Sequence, residues 1–339
     1  MAEFVTQILE RRPENVHRAR FDEREDGSNM VRAAATRVEH EITVRSAAEP
    51  VFRLLADIGN WPMMFRPFVH LEHLGDTGGG ERIGMWTTFG DSVEHWVVER
   101  AVDDATLRID FRPEVVDPPL ESMERSWRVE PVSTDECVLR LVHHFRVMSD
   151  DSNAVLESID SVANSELAAV KAAAELSTDL LVVVDDVVQV QASVAEVYEF
   201  LYSAQKWPDR LAHVVAADVR HEGDGTQLLE ISTLESSGKT LHTKTARVGF
   251  PDRLIAYKQL VLPPVGASHH VNWLITETSS GSEVSSRQVV VIDEAGARAM
   301  LGNDVDLAAV RAFVTRELSG KVRLILENIN EYSESDRQE

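Results

Sequence analysis

Two polar residues that could support acid–base or anion-stabilising chemistry, Arg125 and His143, fall on apolar faces of predicted strands. Successive side chains of a strand point to opposite faces, so a polar residue in an apolar series points inward. In the strand 138–147, His143 lies on the same face as Leu141 and Phe145. In the strand 123–129, Arg125 lies on the same face as Trp127. An arginine buried without a counter-ion or an anionic ligand costs free energy. We therefore predict that both residues face an interior cavity. The structural alternatives are that Arg125 pairs with a buried carboxylate and that His143 is a core histidine with its hydrogen bonds satisfied inside the protein.

Neighbouring strands of the same half add aromatic walls to this predicted cavity. Trp86 shares a strand face with Arg82, and Trp96 lies on the next strand. Aromatic walls with a few polar groups suit a flat, oxygenated ligand. We predict that Trp86, Trp96 and Trp127 contact such a ligand.

The second half of the chain carries its own candidates. His269 and Trp273 share one face of a predicted strand, which places His270 on the outward face. By the same alternation His242 and Lys244 share a face with apolar residues of an earlier strand. Tyr257 lies on the strand that follows. For these residues a purely structural role stays open beside substrate binding.

An internal repeat indicates how these residues are positioned. At one constant offset Val44 matches Val190, Leu55 matches Leu201, and the Trp-Pro pair that begins at Trp61 matches the pair that begins at Trp207. Each copy opens with an alternating strand and a short amphipathic helix, and Trp-Pro is predicted to break that helix. Self-similarity of this kind predicts a duplicated domain.

The order of elements within each copy predicts an α+β fold. Turn signals such as Gly78-Gly79-Gly80 separate several strands, and long helical patterns close the copies near 153–177 and 305–329. We expect two tandem helix-grip domains, each a curved antiparallel sheet wrapped around a long C-terminal helix. The expected boundaries are 1–36 for a charged N-terminal arm, 37–178 for the first domain and 179–339 for the second.

Composition narrows the functional classes. A formal charge of −23 over 339 residues disfavours a nucleic-acid partner. The single cysteine, Cys137, rules out a disulfide framework and agrees with a cytoplasmic location. We find no signal-peptide pattern, no bilayer-spanning run and no nucleotide-binding or nucleophile-elbow motif, and His70 and His73 fall on opposite strand faces. We expect no membrane association, no cofactor and no metal.

The chain resembles the two-domain aromatase/cyclases of type II polyketide synthases, which have START/Bet v 1-like folds. The resemblance covers roughly residues 37–330 and is carried by HEITV, NWP and MERSW in the first copy, and by QKWPDRLAHV and HHVNWLITET in the second. It implies closure and dehydration of the first ring, C7–C12, of a ketoreduced poly-β-ketone held on an acyl carrier protein, among other polyketide synthase subunits. Single-domain relatives carry a cavity arginine where this chain has Trp86, so the cation must come from Arg125, Arg82 or Arg66, or the mechanism differs.

Under this resemblance the candidate residues acquire roles. Arg125 would hold an enolate or alkoxide, His143 would transfer protons, and Arg82 would assist them. The predicted substrate-binding residues are Arg66, Trp86, Trp96, Trp127, His242, Lys244, Tyr257, His269 and Trp273. The alternative function is a non-catalytic carrier of a hydrophobic or polyketide ligand. Which copy is active stays open at this point.

Overall fold

A computed structural model describes residues 35–90, 92–148, 152–234 and 238–336. Within these ranges the chain forms two seven-stranded antiparallel sheets with the same strand order. The predicted arm over 1–36 lies, apart from its last two residues, outside the described residues. The α+β architecture with one sheet in each repeat agrees with the prediction from the order of elements.

The first sheet has its edges at the first and second strands, in the order β1-β7-β6-β5-β4-β3-β2. Its strands are β1 Thr36–Val44, β2 Phe68–Thr77, β3 Gly80–Phe89, β4 Ser92–Asp103, β5 Arg108–Pro113, β6 Leu120–Pro131 and β7 Cys137–Val147. The helices of this repeat are α1 Ala48–Ala56, α2 Trp61–Met64 and α3 Ser152–Ala174, with a 3-10 turn at Ile58–Asn60.

The second sheet repeats this arrangement, in the order β8-β14-β13-β12-β11-β10-β9. Its strands are β8 Leu181–Val190, β9 Val214–Gly223, β10 Thr226–Leu234, β11 Thr240–Phe250, β12 Leu254–Val261, β13 Gly266–Thr278 and β14 Gly281–Ile292. The helices are α4 Val194–Tyr202, α5 Trp207–Arg210, α6 Glu294–Leu301 and α7 Leu307–Asp336, with 3-10 turns at Thr178–Leu180 and Ala204–Lys206.

The Trp-Pro pairs start helices rather than only ending them. Helix α1 ends at Ala56, and Trp61-Pro62 opens the separate turn α2; Trp207-Pro208 opens α5 in the same way. Proline is favoured at the first helical positions, because its missing N–H would have no partner there and its fixed φ suits the helix. The sequence-based expectation of a simple helix break was therefore incomplete.

The chain packs as two compact units whose limits cut across the repeats. The first holds the described residues up to Ile58 together with Glu72–Gly84 and Trp96–Glu175. The second holds Gly59–Leu71 and Met85–His95 together with the chain from Leu176 onward. The domain limits 37–178 and 179–339 thus stay a prediction about the repeats.

Each unit has its own core beneath its long helix. In the first unit Met123 and Phe145 of the sheet pack against Ile159 of α3. In the second unit Val314 of α7 lies in a cluster with residues of β8 and β14, and Leu326 of α7 lies in a cluster with α4, β12 and β13. These contacts confirm the two amphipathic helices predicted from the apolar periodicity.

Candidate functional site

A cavity of about 220 Å³ lies in the second unit, between the sheet and the long helix α7. Alternate residues of the strands supply one wall and apolar residues of α7 supply the other. The main apolar lining residues are Leu229, Ile231, Ile255, Trp273, Val314 and Val322. The polar lining residues of the sheet include Thr243, Arg247, Tyr257, Gln259, His269 and Gln288. The cavity is thus an apolar chamber with a small set of hydrogen-bonding groups, as small-molecule sites commonly are.

Arg247 places a positive charge in the wall of this chamber. Its guanidinium donates to the carbonyls of Leu201, at 2.5 Å, and Tyr202, at 3.4 Å. These are the last residues of α4, where the helix dipole favours a cation. The guanidinium carbon also lies 5.6 Å from the Trp207 ring centre. Burial lowers the pKa of Arg247 to about 10, so it stays charged at neutral pH.

No carboxylate forms an ion pair with Arg247 among the residues that the structure describes. The side chain is almost completely buried, at 3% exposure. Backbone carbonyls and aromatic faces compensate part of the desolvation cost of the charge, but they do not neutralise it. The site therefore favours a ligand oxygen that carries or develops negative charge.

Apolar alternation along β11 predicted the wrong face of this strand to line the chamber. His242 is exposed and hydrogen-bonds Ser232, and Lys244 pairs with Glu230, so neither of the two lines the cavity. Thr243 and Arg247, on the other face, do line it. The prediction failed because Ala246 and Val248 are buried outside the chamber, in a cluster with Val69, Trp86 and Val93 of the second unit. Both faces of the strand are covered, so apolar alternation alone could not identify the inner one.

Three polar residues of the chamber lie on adjacent strands. Tyr257 of β12 is directly opposite Arg247 in the β11–β12 register. His269 of β13 is a diagonal neighbour of Tyr257, with ring centres 6.3 Å apart. Burial raises the pKa of the Tyr257 phenol, whereas the indole nitrogen of Trp273, which lines the same chamber and can only donate, acts to lower it. The structure thus brings the predicted residues Tyr257, His269 and Trp273 together around an arginine that the prediction missed.

His269 is held between two glutamines. Its Nδ1 lies 2.7 Å from Gln259 Oε1 and its Nε2 lies 3.1 Å from Gln288 Oε1. Burial lowers the pKa of His269 to about 4, so the imidazole is neutral at neutral pH. A neutral imidazole has only one N–H, so one glutamine must present its amide NH₂ instead. Both ring nitrogens are thereby occupied within the protein.

The interior of the first unit is arranged differently. Arg125 is buried as predicted, but it forms an ion pair with Glu166 of α3. His143 is buried beside it, and its Nδ1 has no hydrogen-bond partner among the described residues. Burial, followed by the charge of Arg125, holds the pKa of His143 well below its ordinary value. The observed carboxylate is the structural alternative that the sequence left open for Arg125.

Several other predicted site residues lie elsewhere. Arg82 is half-exposed and pairs with Glu114, so it does not face the interior. Trp86 stacks on His95, with ring centres 4.3 Å apart, and contacts Phe250 in the second unit; it belongs to a packed cluster rather than a cavity wall. Arg66 is exposed and does not line the chamber.

The remaining aromatic and histidine predictions have mixed outcomes. Trp127 is buried in the first unit at 2% exposure, whereas Trp96 is half-buried. His144 is exposed, as strand alternation predicted. His270 points away from the chamber but is buried, and its Nε2 donates to the Val69 carbonyl at 3.0 Å. The outward face of β13 is therefore covered by protein instead of water.

Within the described ranges no group of three or more His, Cys, Asp or Glu side chains is placed to bind a metal ion. None of the helices in the part of the chain that the structure covers combines the length and apolar character needed to cross a bilayer.

The sequence is similar to curated polyketide synthase components. A family model described as polyketide cyclase / dehydrase and lipid transport matches residues 35–175. The granaticin polyketide synthase bifunctional cyclase/dehydratase of Streptomyces violaceoruber is 32% identical over 302 residues, which cover 84% of this chain and 93% of the relative. The actinorhodin polyketide synthase bifunctional cyclase/dehydratase of Streptomyces coelicolor is 30% identical, over 88% of this chain and 96% of the relative.

Two solved structures are similar over most of the chain. The di-domain ARO/CYC BexL from the BE-7585A biosynthetic pathway superposes with a TM-score of 0.83 and is 35% identical, covering 87% of this chain and 98% of that chain. The di-domain ARO/CYC StfQ from the steffimycin biosynthetic pathway has a TM-score of 0.81 and 27% identity, covering 89% of this chain and 100% of that chain. Both similarities span the two sheets.

Proposed function

This chain belongs to the family of polyketide synthase bifunctional cyclase/dehydratases, and from that premise we propose that it closes and dehydrates the first ring of a poly-β-ketone. We further propose that the ring joins C7 to C12, that the chain has been ketoreduced beforehand, and that the chamber of the second repeat holds it. The substrate stays attached to an acyl carrier protein. The names of the relatives support a place among polyketide synthase subunits.

The observation that carries this proposal is the positive charge of Arg247 inside an apolar chamber, where no carboxylate of the described residues pairs with it. An aldol closure joins an enol or enolate carbon to a ketone carbon, and negative charge develops on oxygen as the bond forms. A fixed donor in a dry site stabilises such charge far more than water does. Arg247 and the apolar walls meet that need. Arg125 meets it less well, because Glu166 already neutralises it.

The walls of the chamber support the selection of one ring size. A poly-β-ketone has many reactive carbons, and it cyclises to mixtures when it is free in water. Confinement brings one pair of carbons together and turns a random encounter into a directed reaction. Ile231, Ile255 and Val322 supply the apolar confinement, and Thr243 and Gln259 supply polar contacts for the ketone and hydroxyl oxygens.

A pair of tryptophan substitutions on one strand tests the location of the chamber. Thr243→Trp fills the cavity from β11, whereas His242→Trp places the same side chain on the exposed face of that strand. We expect a minimal ketosynthase system to form the aromatised first ring with the wild-type and His242→Trp proteins and to return to shunt products with Thr243→Trp. Thermal unfolding of each variant verifies folding.

Two outcomes would contradict the proposal. Full activity of a folded Thr243→Trp variant would show that the reaction does not take place in the chamber of the second unit. The wild-type protein could also leave the shunt products unchanged and yet bind an aromatic product tightly. That result would favour a non-catalytic carrier. The two results are separable, since the second does not depend on any substitution.

A further inference from the structure

We infer that Tyr257 is the catalytic acid of the dehydration step, donating its phenolic proton to the departing hydroxyl. This assignment rests on the proposed function of the chamber in the second unit. Tyr257 lies in the middle of the sheet wall, with Arg247 opposite on β11 and Val271 opposite on β13. It lines the cavity and is only partly buried by neighbouring atoms. Its phenol is therefore directed toward the space that the ligand would fill.

The neighbouring Trp273 leaves this phenol free to donate. An indole N–H has no acceptor capacity, so the Tyr257 hydroxyl cannot donate to Trp273 and keeps its proton for another partner. The same N–H would stabilise the phenolate that forms once the proton has left. Burial raises the pKa of Tyr257, while the Trp273 indole and the charge of Arg247 act in the opposite direction. The phenol is thus fully protonated at neutral pH and has two groups that stabilise its anion.

The other ionisable groups that line the chamber serve this step less well. Burial lowers the pKa of the half-buried His213, so its neutral imidazole suits accepting a proton rather than donating one. His269 has both ring nitrogens bonded to glutamines, so a proton transfer would break one of those bonds. Arg247 uses its N–H groups and its charge to hold the Leu201 and Tyr202 carbonyls, so giving up a proton would weaken those contacts. Glu317 and Lys321 line the chamber from α7, and their side chains are exposed to solvent.

The proposed step balances without any added reactant. The new ring carries a hydroxyl on the carbon next to a C–H that a neighbouring ketone acidifies. The imidazole of His213, which lines the same chamber and whose pKa is lowered by burial, accepts that C–H proton as the ketone becomes an enolate, whose oxygen Arg247 holds. The electron pair then forms the C=C bond, the C–O bond breaks, and the Tyr257 proton completes the leaving water. The proton lost from carbon returns to the Tyr257 phenolate, so the enzyme is regenerated and no oxidant is needed.

Tyr257→Phe tests this assignment by separating ring closure from dehydration. We expect the folded variant to close the ring and to accumulate a cyclised product that is heavier by one water, because dehydration slows by about a hundredfold, which is typical for loss of a general acid. Mass spectrometry of single-turnover reactions measures both steps. Trp273→Phe, which keeps the phenol but removes the neighbouring indole N–H, should slow dehydration by a smaller factor.

A fluorinated tyrosine incorporated at position 257 gives a readout that a structural role would not move. Fluorination lowers the phenol pKa with little change in shape, so the pH profile of dehydration should shift to lower pH while ring closure is unaffected. This variant also decides the question if Tyr257→Phe fails to fold.

The possible failures point to different errors. Dehydration at the wild-type rate in folded Tyr257→Phe overturns the acid assignment, and the chamber still stands if Thr243→Trp abolishes the product. Loss of ring closure together with dehydration also overturns it, since Tyr257 would then act before the proposed step. Wild-type products from both Tyr257→Phe and Thr243→Trp would instead refute the proposed function itself.

Discussion

Among the described residues, Arg247 is the one charged residue in the sheet wall of the chamber, and replacing it with methionine removes that charge while roughly keeping side-chain volume. The Leu201 and Tyr202 carbonyls lose their donor, which costs about 1–3 kcal/mol of folding stability. The removal of a buried charge partly offsets this cost. In the reaction, the loss of one donor to a developing oxyanion costs about 3–4 kcal/mol, which corresponds to a rate reduction of a hundredfold to a thousandfold.

The assay is the initial rate of cyclised product from a minimal ketosynthase system, with urea unfolding of the same preparations. Arg287→Met is the matched control, because Arg287 is exposed and pairs with Asp185 on the second sheet. Arg247→Lys should be intermediate, since an ammonium keeps the charge but cannot reproduce the two-pronged contact with the helix end. Wild-type rates in folded Arg247→Met would refute the electrostatic reasoning, and equal losses in Arg247→Met and Arg287→Met would show that the effect is not specific to the chamber.

Two further predictions concern the buried charges and the acid stability. Arg125→Met breaks the buried ion pair with Glu166 and should lower the free energy of unfolding by about 3–5 kcal/mol. Arg125→Met combined with Glu166→Leu should recover most of that loss and keep cyclisation activity; an inactive but stable double variant would return Arg125 to the chemistry. His269 has a folded pKa of about 4 against an ordinary value of 6.5, so the unfolded chain binds more protons between these values, and the contribution of His269 to stability is complete above pH 6.5 and is lost as the pH falls toward 4. The loss amounts to roughly 2 kcal/mol between pH 7 and pH 5. Urea unfolding of His269→Gln should therefore show a difference in the free energy of unfolding between the two pH values that is smaller by that amount. An unchanged difference would mean that His269 is not buried as a neutral group.

Local pattern was sufficient for most of the architecture. The repeat, the two long helices and the sequence of elements along each copy follow from apolar periodicity and turn residues, which act over a few positions of the chain. The resemblance to di-domain aromatase/cyclases is confirmed by relatives and by structures that match most of the chain. The inward placement of Arg125 and His143 also followed from alternation, because β6 and β7 each have one face that is more apolar than the other.

The errors share one physical cause. Alternation identifies the buried face only where the opposite face meets water, and β11, β13 and the segment around Trp86 are covered on both sides. On such strands the apolar face and the cavity face need not coincide. For this reason Arg247 was missed and His242 and Lys244 were chosen in its place. A positively charged residue in the buried run Thr245–Gly249 was the signal that could have found it.

The sequence by itself determined that two copies of one α+β domain exist, because each copy carries its own strand, turn and helix signals within a continuous stretch of chain. Only the tertiary structure decided which of the buried arginines Arg125 and Arg247 has a carboxylate as its partner. Glu166 reaches Arg125 from a helix far along the chain, whereas Arg247 meets only carbonyls and aromatic rings among the described residues. Charge compensation depends on distances across the fold, which residue spacing along a strand does not contain.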